Sequence, residues 1–208
     1  MEVSLEELEA TLKCFKKYKS LGPDGWSIVF YLDFFGILGA DLLKVIEDSR
    51  LNDRMHAPFS STFITLIPKI DNPTSFGDYR PISLCYFIYK IMAKIITNKQ
   101  KPILSNHISL EQFSFLQDRQ IHEAMATTQE IFHSLHVKEM KGMILKVDLS
   151  KAFDRVCSLY LRMLLTHLGF PFAFINWIMS CITDRPFSVL VNGSASPLFH
   201  SKRGLCQG

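Results

Sequence analysis

The run Gly142–Leu149, GMILKVDL, is the segment that most limits what this chain can fold into. It is apolar and bounded by a glycine, and it reads as a buried strand with Asp148 at its end. A buried strand needs cover, and the flanking sequence is rich in helical patterns. Ser4 and Glu7 form a capping-box pair ahead of Leu5, Leu8, Leu12 and Phe15 on one helical face. Glutamates cluster early in that helix and lysines late, which suits its dipole. LGPDGW (21–26) then predicts a turn. Helices are expected over about 33–50, Phe87–Ile103, His122–Met140, Leu159–Leu168 and Phe172–Thr183. Strands are expected at Thr62–Lys69 and in FSVLVNG and LFHSKRG, the last two joined as a hairpin through NGSASP. Helices and strands mix without regular βαβ alternation, so the expected class is α+β rather than a doubly wound sheet.

Composition narrows the function classes. With 48% hydrophobic and 21% charged side chains over 208 residues, the chain can bury a core, which excludes a disordered tail, a collagen-like repeat or a mucin-like stalk. The apolar runs are interrupted by Asp33, Asp41, Lys90 and Lys94, so no membrane partner is expected. The five scattered cysteines include no CxxC pair, which favours a reducing, intracellular compartment without separating nucleus from cytoplasm. His133 and His136 lie three apart, but no second ligand pair is near them in sequence.

The net charge of +3 is mild, and its distribution says more. No acid lies between Asp78 and Glu111, where Arg80, Lys90, Lys94, Lys99 and Lys101 occur. None lies from Arg185 to Gly208, where Lys202 and Arg203 also fall. Such stretches attract phosphates or form solvated faces. Asp148 at a strand end could hold a metal or cap the following helix. Lys69 and Arg80 flank a loop after a strand and could grip a polyphosphate or remain solvated. Phe153 reads as a core aromatic, and Gln207 sits in a glycine-flanked turn that a ligand could approach closely.

The order of the motifs carries more than any one of them. GPDGW, TLIPK, DYRPISL, YKIMAK, EQFSF, DRQI, LKVDLSKAFDRV, WI, SVLVNG and RGLCQG follow one another along the chain. From about Lys19 to Gly208 this strongly resembles the reverse transcriptase domain of non-LTR (LINE-type) retrotransposons of the plant type. The resemblance implies a right-hand polymerase fold, with an N-terminal helix over 1–20, a fingers-like region over 21–140 and a partial palm over 141–208. It implies RNA-directed DNA synthesis from an RNA template and a DNA primer, using deoxynucleoside triphosphates and two magnesium ions. Lys69 and Arg80 would contact the triphosphate. Asp148 would be the first catalytic aspartate, binding both metals with the carbonyl of Leu149. Phe153 would stack under the sugar and exclude a 2′-hydroxyl, and Gln207 would lie near the nucleotide. Lys90, Lys94 and Lys101 would face template or primer phosphates.

The sequence also departs from that family. Two divalent cations about 3.5–4 Å apart need several carboxylates, and the family's downstream Asp-Asp pair occurs nowhere in these 208 residues. Leu21 stands where Pro is usual, Asp118 where Gly is usual and Cys206 where Arg is usual. The expectation is therefore a truncated domain, with an incomplete metal site and no thumb, inactive alone. The alternative is a non-catalytic nucleic-acid-binding or functionless remnant. A palm sheet without its remaining strands is further expected to expose apolar surface around Phe187–Val191.

Overall fold

The computed structural model describes residues 2–17, 19–114, 116, 119–149, 151–183, 185–201 and 204–205. The chain forms two compact units, one of Met1–Ile96 with Lys151–Gly208, the other of Thr97–Ser150. Helices and a mixed sheet are both present, as an α+β chain requires.

The first unit opens with α1 (Leu5–Lys13), started by the Ser4 hydroxyl, which accepts from the Glu7 amide at 3.1 Å. It buries Leu8, Thr11 and Leu12 and packs on α2 (Ile28–Asp33) and α3 (Phe35–Leu51). After the short α4 (Ala57–Ser60), strand β1 (Thr62–Pro68) turns back into β2 (Tyr79–Cys85). That pair is antiparallel throughout, from Thr62 opposite Cys85 to Pro68 opposite Tyr79. The expected loop is thus shorter than DNPTSFGDYRP, because Tyr79, Arg80 and Pro81 already belong to β2.

Helix α5 (Phe87–Ser105) buries Phe87, Ile91, Met92, Ile95 and Ile96 on one stripe, as its apolar spacing predicts. Helices α7 (Ser158–His167) and α8 (Phe172–Ile182) pack on each other, and α8 supplies the fully buried Ile175 and Trp177. β3 (Pro186–Val191) lies parallel to β1, with Thr62 opposite Phe187. Asn192 and Gly193, both at positive φ, turn the chain into β4 (Ser194–Ala195), the Asn-Gly geometry that suits a tight hairpin. β5 (Phe199–His200) returns beside the start of β3. The expected exposure of Phe187–Val191 is therefore corrected. Flanked by β1, β4 and β5, this strand buries Ser188, half-buries Phe187, Val189 and Leu190, and exposes only Val191.

The second unit holds the end of α5 and α6 (Ile121–Val137). The strand expected over 142–149 is not formed. The described residues from Met140 to Leu149 adopt no helix or strand, and Met143 is 92% and Leu145 80% exposed. An apolar run becomes a strand only where a neighbour pairs its N–H and C=O groups. Among the described residues of this unit the regular elements are helical and offer no such partner.

Candidate nucleotide-binding site

The β1–β2 hairpin positions the two cations singled out by sequence. Arg80 stands opposite Ile67 in the ladder, and the Lys69 amide extends it by donating to the Asp78 carbonyl at 2.7 Å. Positions 69 and 80 are therefore diagonal neighbours on one face of the hairpin, a separation of about 7–8 Å. Both side chains are exposed. The Lys69 ammonium donates to the Gly77 carbonyl at 2.8 Å.

The connection is braced by Asp78. Its carboxylate accepts from the Ser75 amide at 2.8 Å, the Thr74 amide at 3.0 Å and the Ser75 hydroxyl at 3.0 Å. The Ser75 and Thr74 amides, then the Ser75 hydroxyl, hold this carboxyl below the usual carboxylate range, and the charge of Lys69 adds to them. Asp78 is thus satisfied by its own turn.

Phe153 opens a 3₁₀ turn, Phe153–Arg155, in the same unit, with its side chain 48% exposed. The Phe153 carbonyl accepts from the Leu205 amide, and the Val156 carbonyl from the Gly204 amide, both at 2.9 Å. The structure thereby joins Phe153–Val156 to Gly204 and Leu205, parts of two motifs that sequence alone leaves separate. Gln207, Asp118 and Cys206 lie outside the described residues.

Asp148 and Leu149 belong to the second unit and are exposed. Because 142–149 is not a strand, Asp148 does not stand at a strand end. The donor set for two divalent ions is not met by the described residues, among which no group of three His, Cys, Asp or Glu side chains could hold a metal. Among them, too, no helix is long and apolar enough to cross a membrane.

On α5, residues 90, 94 and 101 fall within about 40° of one another at 100° per residue, so the three lysines share one face. Lys90, Lys94 and Lys101 are half-buried along their stems, and the Lys90 ammonium reaches the Ser20 carbonyl at 3.3 Å.

Three residues acquire roles that sequence reasoning did not give them. Arg185, counted above among phosphate-attracting cations, is 2% exposed. Its guanidinium donates to the Ser60 carbonyl at 3.1 Å and to the Thr62 hydroxyl, and lies 3.7 Å from the Tyr89 ring centroid. This corrects its assignment, since a cation enclosed this way is withdrawn from solution. Asp24 caps α5 from 63 positions away, accepting the Phe87 amide at 2.8 Å. In the second unit, Arg119 caps the other end of that helix, donating to the carbonyls of Ser105, Ile108, Ser109 and Gln112. The charged residue types were visible, but the partners of Asp24 and Arg185 are too distant in sequence to be read, and those of Arg119 are backbone carbonyls that no side-chain pattern marks.

A family profile described as reverse transcriptase (RNA-dependent DNA polymerase) matches residues 67–208. A Xenopus laevis protein named transposon TX1 uncharacterized 149 kDa protein is 27% identical over 206 residues, covering 99% of this chain and 16% of its own length. A Drosophila melanogaster protein named probable RNA-directed DNA polymerase from transposon BS is 30% identical over 133 residues, covering 62% of this chain and 14% of its own. The chain thus spans about a sixth or less of the length of these relatives.

Proposed function

The chain belongs to the reverse transcriptase (RNA-dependent DNA polymerase) family, and on that premise we propose that it is the nucleotide-gripping portion of a non-LTR, LINE-type retrotransposon polymerase of the plant type. The observation that carries this reading is the pairing of Lys69 and Arg80 as exposed diagonal neighbours on one hairpin face. Two cations so placed can divide the charge of a triphosphate, Lys69 as a point charge and Arg80 as a planar fork. Phe153 lies beneath the sugar and Gln207 near the nucleotide. Residues 1–20 form the N-terminal region that carries α1, 21–140 the fingers-like region and 141–208 the first part of the palm.

Asp148 and the Leu149 carbonyl are the donors of this segment assigned to magnesium. The family's chemistry needs further carboxylates, and these 208 residues contain no adjacent Asp-Asp pair. The segment by itself therefore binds deoxynucleoside triphosphates but does not extend a primer. Charge-assisted hydrogen bonds are worth about 1.5–3 kcal/mol, so Lys69→Ala or Arg80→Ala is expected to weaken dATP binding about 10–100-fold. Unchanged affinity in both variants refutes the assignment. Primer extension by the 208-residue chain, abolished by Asp148→Ala, refutes the inactivity.

A second reading, a non-catalytic nucleic-acid binder, is favoured by the shared face of Lys90, Lys94 and Lys101. It requires salt-sensitive binding of RNA or DNA that survives Asp148→Ala. Both readings hold together if dATP and RNA bind independently.

A further inference from the structure

The turn that presents Phe153 has little of its own to hold it. None of Phe153, Asp154 and Arg155 is buried, and Lys151 just before them has φ +54°. Among the described residues, a ladder of two backbone bonds, from the Gly204 and Leu205 amides, ties it to a segment distant in sequence. That ladder in turn depends on the absence of a side chain at 204. Gly204 has φ +94°, outside the region L-residues favour. A Cβ there would stand 3.0 Å from both the Cα and the carbonyl oxygen of Asp154, and both are backbone atoms that cannot swing aside. Conformation and space thus demand glycine independently, at the point where the Phe153 carbonyl is taken up one residue later.

We propose that Gly204 is the positioning residue for Phe153: it lets the 204–205 backbone clamp the 153–156 turn and so fixes the ring that selects deoxyribose over ribose. This rests on the sugar-contacting role assigned to Phe153 above. Rejecting a 2′-hydroxyl by a clash requires a ring that cannot yield, because specificity of this kind comes from an unfavourable contact with the wrong ligand. A ring on an untethered turn moves aside and admits both sugars.

The test uses the 208-residue chain, with amide hydrogen exchange as one arm and the affinities for dATP and ATP as the other. Gly204→Ala is expected to raise exchange of the Leu205 amide at least tenfold while the β1–β2 amides keep their protection. It is also expected to bring the dATP-to-ATP affinity ratio at least fivefold closer to one, as Phe153→Ala does. A merely structural role lowers both affinities together and leaves the ratio alone. Should Gly204→Ala unfold the chain, Leu205→Pro, which deletes the amide bonded to Phe153, is read through the dATP-to-ATP affinity ratio alone, with a ratio unchanged from that of the unaltered chain overturning the link to selectivity. A Leu205 amide that stays protected in Gly204→Ala overturns the clamp. A ratio that falls in Phe153→Ala but holds in Gly204→Ala overturns the link to selectivity. Equal affinity of the unaltered chain for dATP and ATP overturns the assignment of Phe153 and the selectivity inferred from it, and Leu205 exchange still decides the clamp.

Discussion

Replacing Gly22 by alanine should be among the most damaging single-methyl additions in the first unit. Residues 22–25 form a turn in which the Gly25 amide donates to the Gly22 carbonyl at 3.1 Å. The turn lies against the junction of β2 and α5, where Asp24 caps the Phe87 amide. A Cβ on Gly22 would stand 2.2 Å from the Cys85 carbonyl oxygen and 2.9 Å from the Asp24 carboxylate. The carbonyl belongs to the end of β2, so the loop itself must lift, and lifting it withdraws Asp24 from Phe87. Overpacking costs about 1–3 kcal/mol and a lost N-cap about 0.5–2 kcal/mol, together about 1.5–5 kcal/mol. For a chain of this size each kcal/mol lowers Tm by about 2–4 °C, so the expected fall is about 3–20 °C. Gly25→Ala is the control. Gly25 has φ +68° but nothing within 4 Å of its would-be Cβ, so it costs only the left-handed conformation, about 1–2 kcal/mol. Asp24→Ala, which removes the cap without a clash, should fall between these two or match Gly25→Ala. Thermal and urea unfolding of the three variants, followed by circular dichroism, measures the order. A Tm for Gly22→Ala within 1 °C of the unaltered chain, or above that of Gly25→Ala, refutes the steric argument.

Arg185→Ala should lose about 3.5–5 kcal/mol in urea unfolding, from a desolvated cation–π contact of about 2 kcal/mol and charged hydrogen bonds of about 1.5–3 kcal/mol, with RNA affinity unmoved because this charge is buried. The depressed Asp78 carboxyl contributes order to the hairpin connection that is present above the ordinary carboxylate range and lost as pH falls through its folded-state pKa. Thr74 and Ser75 amide protection should drop on acidification, and Asp78→Asn should remove that dependence. Burial, aided by the Asp24 charge, pushes Tyr31 up to about 12, so its stabilising effect is full below the ordinary tyrosine value and is lost as pH rises towards 12. In a 295 nm alkaline titration the phenol absent from Tyr31→Phe should be one of late onset. Burial likewise raises Cys181 to about 11, and native thiol labelling should reach the exposed Cys14 and Cys157 while sparing Cys85 and Cys181. Each phosphate neutralised on single-stranded RNA adds about 0.7 to the salt slope. Reversing the charges of Lys90, Lys94 and Lys101 together should flatten it by about 2, and an unchanged slope removes these residues from the interface.

Local periodicity made much of the fold legible. Helix α5 follows from the spacing of Ile91, Met92, Ile95 and Ile96, and α1 from its Ser4 cap, because both signals act within a few residues. Strand β1, which leads to Lys69, was visible from its β-branched residues, whereas β2, which bears Arg80, was read in part as loop and emerges only from its pairing with β1. The run 142–149 misled for a physical reason. Its apolar side chains satisfy the composition of a strand, but a strand is a relation between two segments, and composition describes only one.

The same distinction separates the candidate-site residues. Asp24 and Arg185 are charged groups whose roles are set by amides, carbonyls and rings far away in sequence, and Arg119 is one whose carbonyl partners are brought to it by the fold of the segment before it, so their chemistry was readable and their employment was not. Arg185 shows the consequence most clearly. In sequence it strengthens a basic stretch, whereas in the fold it is enclosed between Ser60, Thr62 and Tyr89 and cannot meet a phosphate. Lys69 and Arg80 remain exposed on the hairpin, while Asp78 beside them takes its hydrogen bonds from its own turn. An acid-free stretch therefore measures how much positive charge is available, and the backbone decides how much of it faces outward. Here that decision leaves a hairpin pair of cations and a row of three lysines on α5, the two surfaces a nucleotide and a nucleic-acid strand would each require.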